Sequence, residues 1–121
     1  MRILLDTNFL IDIVRFRINL EDLADLIGSY ELAAPSPVEK ELLKISEAHS
    51  QASRYARAAI NLLRVNNVKI LQSEGLADNA MLKLAGKDAL VATNDIELRK
   101  RLMSLGHRVI YLKSKKHLTI G

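Results

Sequence analysis

The chain has 121 residues, 49% of them hydrophobic and 26% charged, with a net charge of +4. That is the balance of a single folded domain, residues 1–121, with a sizeable core, and no apolar run approaches the roughly 18 residues of a membrane span. The absence of cysteine excludes disulfides, zinc–thiolate sites and a Cys nucleophile; His49, His107 and His117 lack metal-ligand spacing, so any metal must be held by oxygen. A strand that begins at once leaves no room for a signal peptide, and the expected location is cytoplasmic.

In chain order, the apolar run Arg2–Leu5 has the length and branched composition of a strand buried on both faces, as in a parallel sheet. It stops at Asp6-Thr7-Asn8. In open α/β sheets ligands bind beyond the carboxyl ends of such strands, although this triplet also suits simple helix capping. Phe9, Ile13 and Phe16 fall at helical spacing. Asn19 reads as the N-cap of a short helix over Leu20–Ile27 that Gly28 closes. Tyr30–Ala34 is a second strand. Ser36-Pro37-Val38-Glu39 predicts a helix start, with Ser36 as N-cap, Pro37 in the first turn and Glu39 completing a capping box. Val38, Leu42 and Ile45 then share one face, and Glu41 lies on its flank at about 100° per residue.

Ser50–Val65 is a longer amphipathic helix stopped by Asn66-Asn67, followed by a short strand over Val68–Leu71. Leu76–Ala85 is a helix with Asp78 in its first turn, ended by Gly86. Ala89–Ala92 repeats the opening pattern: an apolar run, then Thr93-Asn94-Asp95, then a helix over Ile96–Leu105 with Leu98, Leu102 and Leu105 on one face. Val109–Leu112 is the last expected strand. From about Lys113 the chain is a basic tail that packs only through Leu118 and Ile120.

Strands alternating with helices across short loops predict an α/β fold, a mostly parallel central sheet covered on both faces. The first and fourth strands end in Asp6 and Asp95, and the helices leaving the second and third begin at the same edge with Glu41 and Asp78 near their starts. Four unpaired carboxylates at one edge repel one another and raise their pKa values. Hard divalent cations with oxygen ligands resolve that conflict.

The ordered set of Leu4-Leu5-Asp6-Thr7-Asn8, Pro35-Val38-Glu41-Leu42, Asp78 to Ala85 and Val91 to Leu102 resembles the PIN-domain nucleases over nearly the whole chain. The ending, from Gly106 to the Lys-rich tail, is similar to the archaeal branch related to small-subunit rRNA processing enzymes; VapC toxins are similar too. The resemblance implies a three-layer α/β/α sandwich that holds Mg²⁺ or Mn²⁺ and hydrolyses RNA, leaving 5′-phosphate and 3′-hydroxyl ends. It assigns Asp6, Glu41, Asp78 and Asp95 as the catalytic and metal-binding acids, with Asp6 and Asp95 as direct ligands at strand ends. It places Thr7, Asn8, Asn79, Thr93 and Asn94 as supporting polar residues around them. Asn79 departs from many relatives, which carry a second Asp there.

The chemistry requires metal-bound water and in-line displacement rather than a nucleophilic side chain. Arg15, Arg17, Lys40, Lys44, Arg99 and Lys113 are the residues expected to guide the RNA backbone, giving salt-dependent affinity without sequence reading. Two roles fit such an enzyme: RNA processing among ribosome-assembly factors, or a toxin paired with an antitoxin protein. Homodimers are common in the family. The rival reading is a non-catalytic PIN-fold RNA-binding or scaffold module, which usually lacks one or more acids. A phosphoacceptor receiver domain fails because Gln72-Ser73, not Asp, follows the third strand.

Overall fold

The computed structural model describes residues 1–121. Strand β1 (Arg2–Leu5) leads into α1 (Thr7–Arg15), and a 3-10 turn (Leu20–Asp22) into α2 (Leu23–Ile27). Then come β2 (Glu31–Pro35), α3 (Ser36–Ser46), α4 (Gln51–Val65), β3 (Lys69–Leu71) and α5 (Ala77–Leu84). The chain ends with β4 (Ala89–Ala92), α6 (Ile96–Ser104), β5 (Val109–Lys113) and β6 (His117–Ile120).

The six strands form one sheet in the order β3-β2-β1-β4-β5-β6, parallel except for β6. Ile3, Leu4 and Leu5 of the central strand are fully buried, as expected of a strand covered on both faces. The chain winds outward from β1 through β2 to β3, then returns to the other side of β1 for β4 and β5. Right-handed crossovers therefore place α1, α3 and α4 on one face and α5 and α6 on the other. The first three pack against one another, through Phe9, Leu10, Ile13, Val38, Leu42, Ala56, Ala59 and Leu63. Because the winding reverses between β1 and β4, a crevice opens beyond the carboxyl ends of those two strands, the usual ligand position in such sheets.

Several expectations change on folding. The basic tail is not a loose appendage: residues 114–116 turn the chain, and His117–Ile120 returns as antiparallel β6 against β5, pairing Tyr111 with Thr119 and Leu112 with Leu118. Ser36 is not an N-cap. It is the first helical residue, Pro35 holds the cap position without a side-chain bond, and no capping box forms with Glu39. Instead the buried Ser36 hydroxyl donates to the carbonyl of Ser73 and accepts from its amide, both at 3.0 Å, tying the loop after β3 to the start of α3. A capping box does form at α4, between Ser50 and Ser53. Leu105 lies outside the core at 62% exposure, because α6 ends at Ser104 and Leu105 no longer follows its face. The segment over Leu20–Ile27 is a 3-10 turn followed by a short α-helix rather than one helix, with Asn19 capping its start as expected.

Replacing Ser36 by Ala removes both bonds to the 73 loop and leaves two half-buried backbone groups to find water. The expected cost is about 1–2 kcal/mol, readable as a lower urea midpoint at unchanged slope.

Candidate active site

Asp6 sits one residue beyond β1 and is 3% exposed. Its amide donates to the carbonyl of Ala92 at 3.0 Å, continuing the β1–β4 ladder in which Leu5 faces Ala92 and setting Asp6 beside Thr93. The carboxylate is held at both oxygens: Oδ1 accepts from the Thr7 amide at 2.9 Å and Oδ2 from the Thr93 hydroxyl at 2.6 Å. Capping and site roles thus coincide in one residue. Burial pushes the Asp6 pKa from 3.8 to about 6; the Thr93 and Thr7 hydrogen bonds oppose the rise, and the charges of Asp78 and Glu41 add to it.

Glu41 and Asp78 thus lie within electrostatic reach of Asp6. Both reach this edge because their helices start at it. Glu41, one turn into α3, is exposed rather than tucked beside the apolar stripe, and its Oε2 accepts from the Thr7 hydroxyl. Asp78 is half-buried in the first turn of α5 and accepts no hydrogen bond from the protein. Asn79 beside it is exposed and lines a separate concavity whose walls include none of the four acids.

Asp95 is placed differently. It lies three residues past β4 and is the N-cap of α6, its Oδ1 accepting from the amides of Glu97 at 2.9 Å and Leu98 at 3.2 Å. It is tied to Asp6 through Thr93, whose hydroxyl oxygen accepts from the Asp95 amide at 3.1 Å while donating to Asp6.

Asn8, Asn94 and a residue that sequence reasoning misses, Asp12, make the frame. Asn8 Oδ1 accepts from the Asn94 amide at 3.0 Å. The Asn94 side chain donates to Asp12 Oδ2 at 2.9 Å and accepts from the Leu112 amide at 2.8 Å. This fastens α1, the end of β4 and β5 together around the crevice. Asp12 lies one turn after Asn8 on α1, a spacing that puts both on the same face, and that was the available signal.

No three acids stand close enough to form a closed metal cage in these side-chain positions: Glu41 is drawn to Thr7, and Asp95 to the start of α6. The donor set nevertheless suits a hard divalent ion, because Asp6, Glu41, Asp78, Asp95, Asn8, Asn94, Thr7 and Thr93 offer only carboxylate, amide and hydroxyl groups. No cationic side chain neutralises it. The one ion pair in the protein joins Arg2 to Glu31 at 3.2 Å, at the opposite end of the sheet.

The basic residues fall on two flanks. Lys40 and Lys44 are exposed on α3. On the other flank, Arg99 lies 4.1 Å from the centre of the Tyr111 ring, and Arg15 and Lys115 bracket Phe16 at 5.0 and 5.6 Å. Lys113 ends β5. Arg17 has a positive φ of 55°, set by the turn that ends α1.

A family model described as a PIN like domain matches residues 3–115. Ribonuclease VapC4 of Methanocaldococcus jannaschii is 30% identical over 126 residues, covering 98% of this chain and 95% of that protein. Among solved structures, the PIN domain endonuclease Utp24 superposes with a TM-score of 0.80 at 23% identity, covering 98% of this chain and 90% of that one. VapBC-1 from nontypeable Haemophilus influenzae gives a TM-score of 0.54 at 20% identity over 86% of this chain and 94% of that one. At those identities the two structures speak to the fold, and they have the same architecture. With a family match across most of its length and a relative aligned nearly end to end, this chain belongs to the PIN-like domain family.

Proposed function

We propose that the protein is a metal-dependent endoribonuclease that hydrolyses RNA phosphodiester bonds at the edge formed by Asp6, Glu41, Asp78 and Asp95. The observation that carries this reading is the buried Asp6 carboxylate, crowded by two further acids and matched by no protein cation. Such a charge is costly to keep and is stabilised by a bound Mg²⁺ or Mn²⁺. Kinship with ribonuclease VapC4 supports RNA as the substrate.

In this reading Asp6 is the fixed ligand, because Thr93 and the Thr7 amide leave its carboxylate a single orientation. Glu41 and Asp78 complete the ligand set, with Thr7 steering the Glu41 side chain. Asp95 keeps one oxygen on the α6 amides and has the other free of protein hydrogen bonds. A divalent ion held there supplies water of lowered pKa and charge stabilisation on the phosphate oxygens. The flanks carrying Arg15, Arg99 and Lys113 on one side and Lys40 and Lys44 on the other draw the RNA backbone across the acids. Arg99 is pre-positioned by Tyr111, as a cation stacked on a ring is.

The test is thermal unfolding with and without Mn²⁺, in parallel with digestion of a labelled RNA. A ligand that binds only the folded chain raises Tm by mass action, by about 2.7 kcal/mol equivalent at a hundredfold excess over Kd. The expected result is a Tm increase and cleavage that both disappear in chelator. Unchanged Tm and intact RNA would instead favour a binding module. Growth arrest on expression alone, relieved by a neighbouring antitoxin gene, would assign the toxin role over RNA processing.

A further inference from the structure

Between the helices that carry Glu41 and Asp78 lies a mainly polar concavity, with Ala80 and Leu84 as its apolar lining, that the cleavage chemistry leaves unused. It has a volume of about 910 Å³ and runs between α3, the loop after β3 and α5, with Lys40, Gln72, Ser73, Glu74, Asn79 and Lys83 on its walls. The other two large concavities, of about 650 and 590 Å³, open where the strands begin, around Arg2, Glu31 and Leu90, at the far end of the sheet.

Three features suit the polar concavity to a nucleotide. Its volume falls in the range of about 300–1,000 Å³ of pockets that enclose small ligands. Its floor is preformed, because the buried Ser36 hydroxyl clamps Ser73 through both its amide and its carbonyl. Its walls place two ammonium groups, Lys40 from α3 and Lys83 from α5, around the neutral amides of Gln72 and Asn79, with Glu74 as the single acid. Lysines pair with phosphate as point charges, while an amide offers both a donor and an acceptor to a base or ribose edge. Asn79 and Lys83 are four residues apart on one face of α5. Asn79 directly follows Asp78 and Lys40 directly precedes Glu41, so two wall residues adjoin the acids along the chain.

We infer that this pocket holds a nucleotide of the RNA next to the scissile bond, with Lys83 and Lys40 on its phosphates and Asn79 and Gln72 on its base or sugar. The inference rests on the nuclease reading and adds a binding subsite to it. It also explains what a neutral residue achieves at position 79: a carboxylate there would repel the phosphate that the two lysines attract.

The experiment measures binding without turnover. A 12-nucleotide fluorescent single-stranded RNA is titrated with Asp6→Asn protein across a salt series, alone and combined with Lys83→Gln, Lys40→Gln or Lys87→Gln. Lys87 is exposed and lies at the far end of the sheet, so it serves as the control. Removing one lysine that neutralises a phosphate should lower the salt slope by about 0.7 and weaken binding about threefold near physiological salt. Lys83→Gln and Lys40→Gln are expected to show both effects and Lys87→Gln neither. Equal slopes in all three variants would overturn the subsite while leaving the nuclease reading intact. No RNA binding by the parent Asp6→Asn protein would also overturn the subsite, whose lysines act without the ion.

Discussion

Asp6→Asn is expected to reduce RNA cleavage by at least about 100-fold, since even groups that only hydrogen-bond a metal's ligands cost about 10–100-fold when removed, and to make the metal-free protein more stable near neutral pH. The second effect follows from the sign of the Asp6 shift. Its folded pKa, about 6, lies above the ordinary 3.8, so between these values the folded chain binds the proton more tightly than the unfolded chain. The stability this group contributes is therefore fully present below 3.8 and is lost as pH rises through 6. Above both values the penalty is of the order of 3 kcal/mol.

Asparagine keeps the shape and removes the charge. With part of that penalty recovered, Tm at pH 8 in chelator should rise on the order of 5 °C for a domain of this size. At pH 4.5, where folded Asp6 is protonated but the unfolded carboxyl is still mostly ionised, the penalty falls to about a third, and the gap in Tm should narrow accordingly. A wild-type protein no less stable than Asp6→Asn at pH 8 would show that the Asp6 charge is compensated within the protein. Unimpaired cleavage by the variant would remove Asp6 from the site.

The elements and the acids at the sheet edge were legible in the sequence because each carries a local signature. Ile3-Leu4-Leu5 and Leu90-Val91-Ala92 are apolar runs closed by polar triplets, and Pro37 marks the start of α3. The order of the strands was not legible, since nothing local in β3 or β4 says on which side of β1 each will pair. Strand β6 was missed for a physical reason. Its hairpin is turned by Ser114 and Lys115 at φ of 54° and 58°, and neither residue announces a left-handed conformation as Gly or Asn does. Ser36 shows the complementary failure. The same Ser-Pro-x-Glu pattern that predicts a capping box also serves a serine reaching out to another loop, and only the packing of the 73 loop decides between them. Asp95 was legible as a residue but not in its posture, because strand-end acid and helix N-cap share one sequence signal.

Thr93→Val tests the other half of the site, the hydroxyl that joins Asp6 to Asp95. Thr93 is fully buried, and its oxygen both donates to Asp6 at 2.6 Å and accepts from the Asp95 amide at 3.1 Å. Valine fills the same space without either bond. Leaving a buried carboxylate and a half-buried amide short of partners should cost roughly 1–3 kcal/mol at pH 7. The Thr93 bond is also the larger of the two hydrogen bonds that oppose the rise in the Asp6 pKa. Without it the Asp6 pKa should climb further, moving the acid limb of the cleavage profile to higher pH. The destabilisation should in turn shrink below pH 5, where a protonated Asp6 needs its acceptor bond less. Thr93→Ser, which keeps the hydroxyl and loses only a methyl group, should restore the wild-type pH profile at some cost in packing. Matching profiles for valine and threonine would mean that Thr93 only fills space; a displaced profile that serine repairs makes its hydroxyl the group that holds Asp6 ready for the ion.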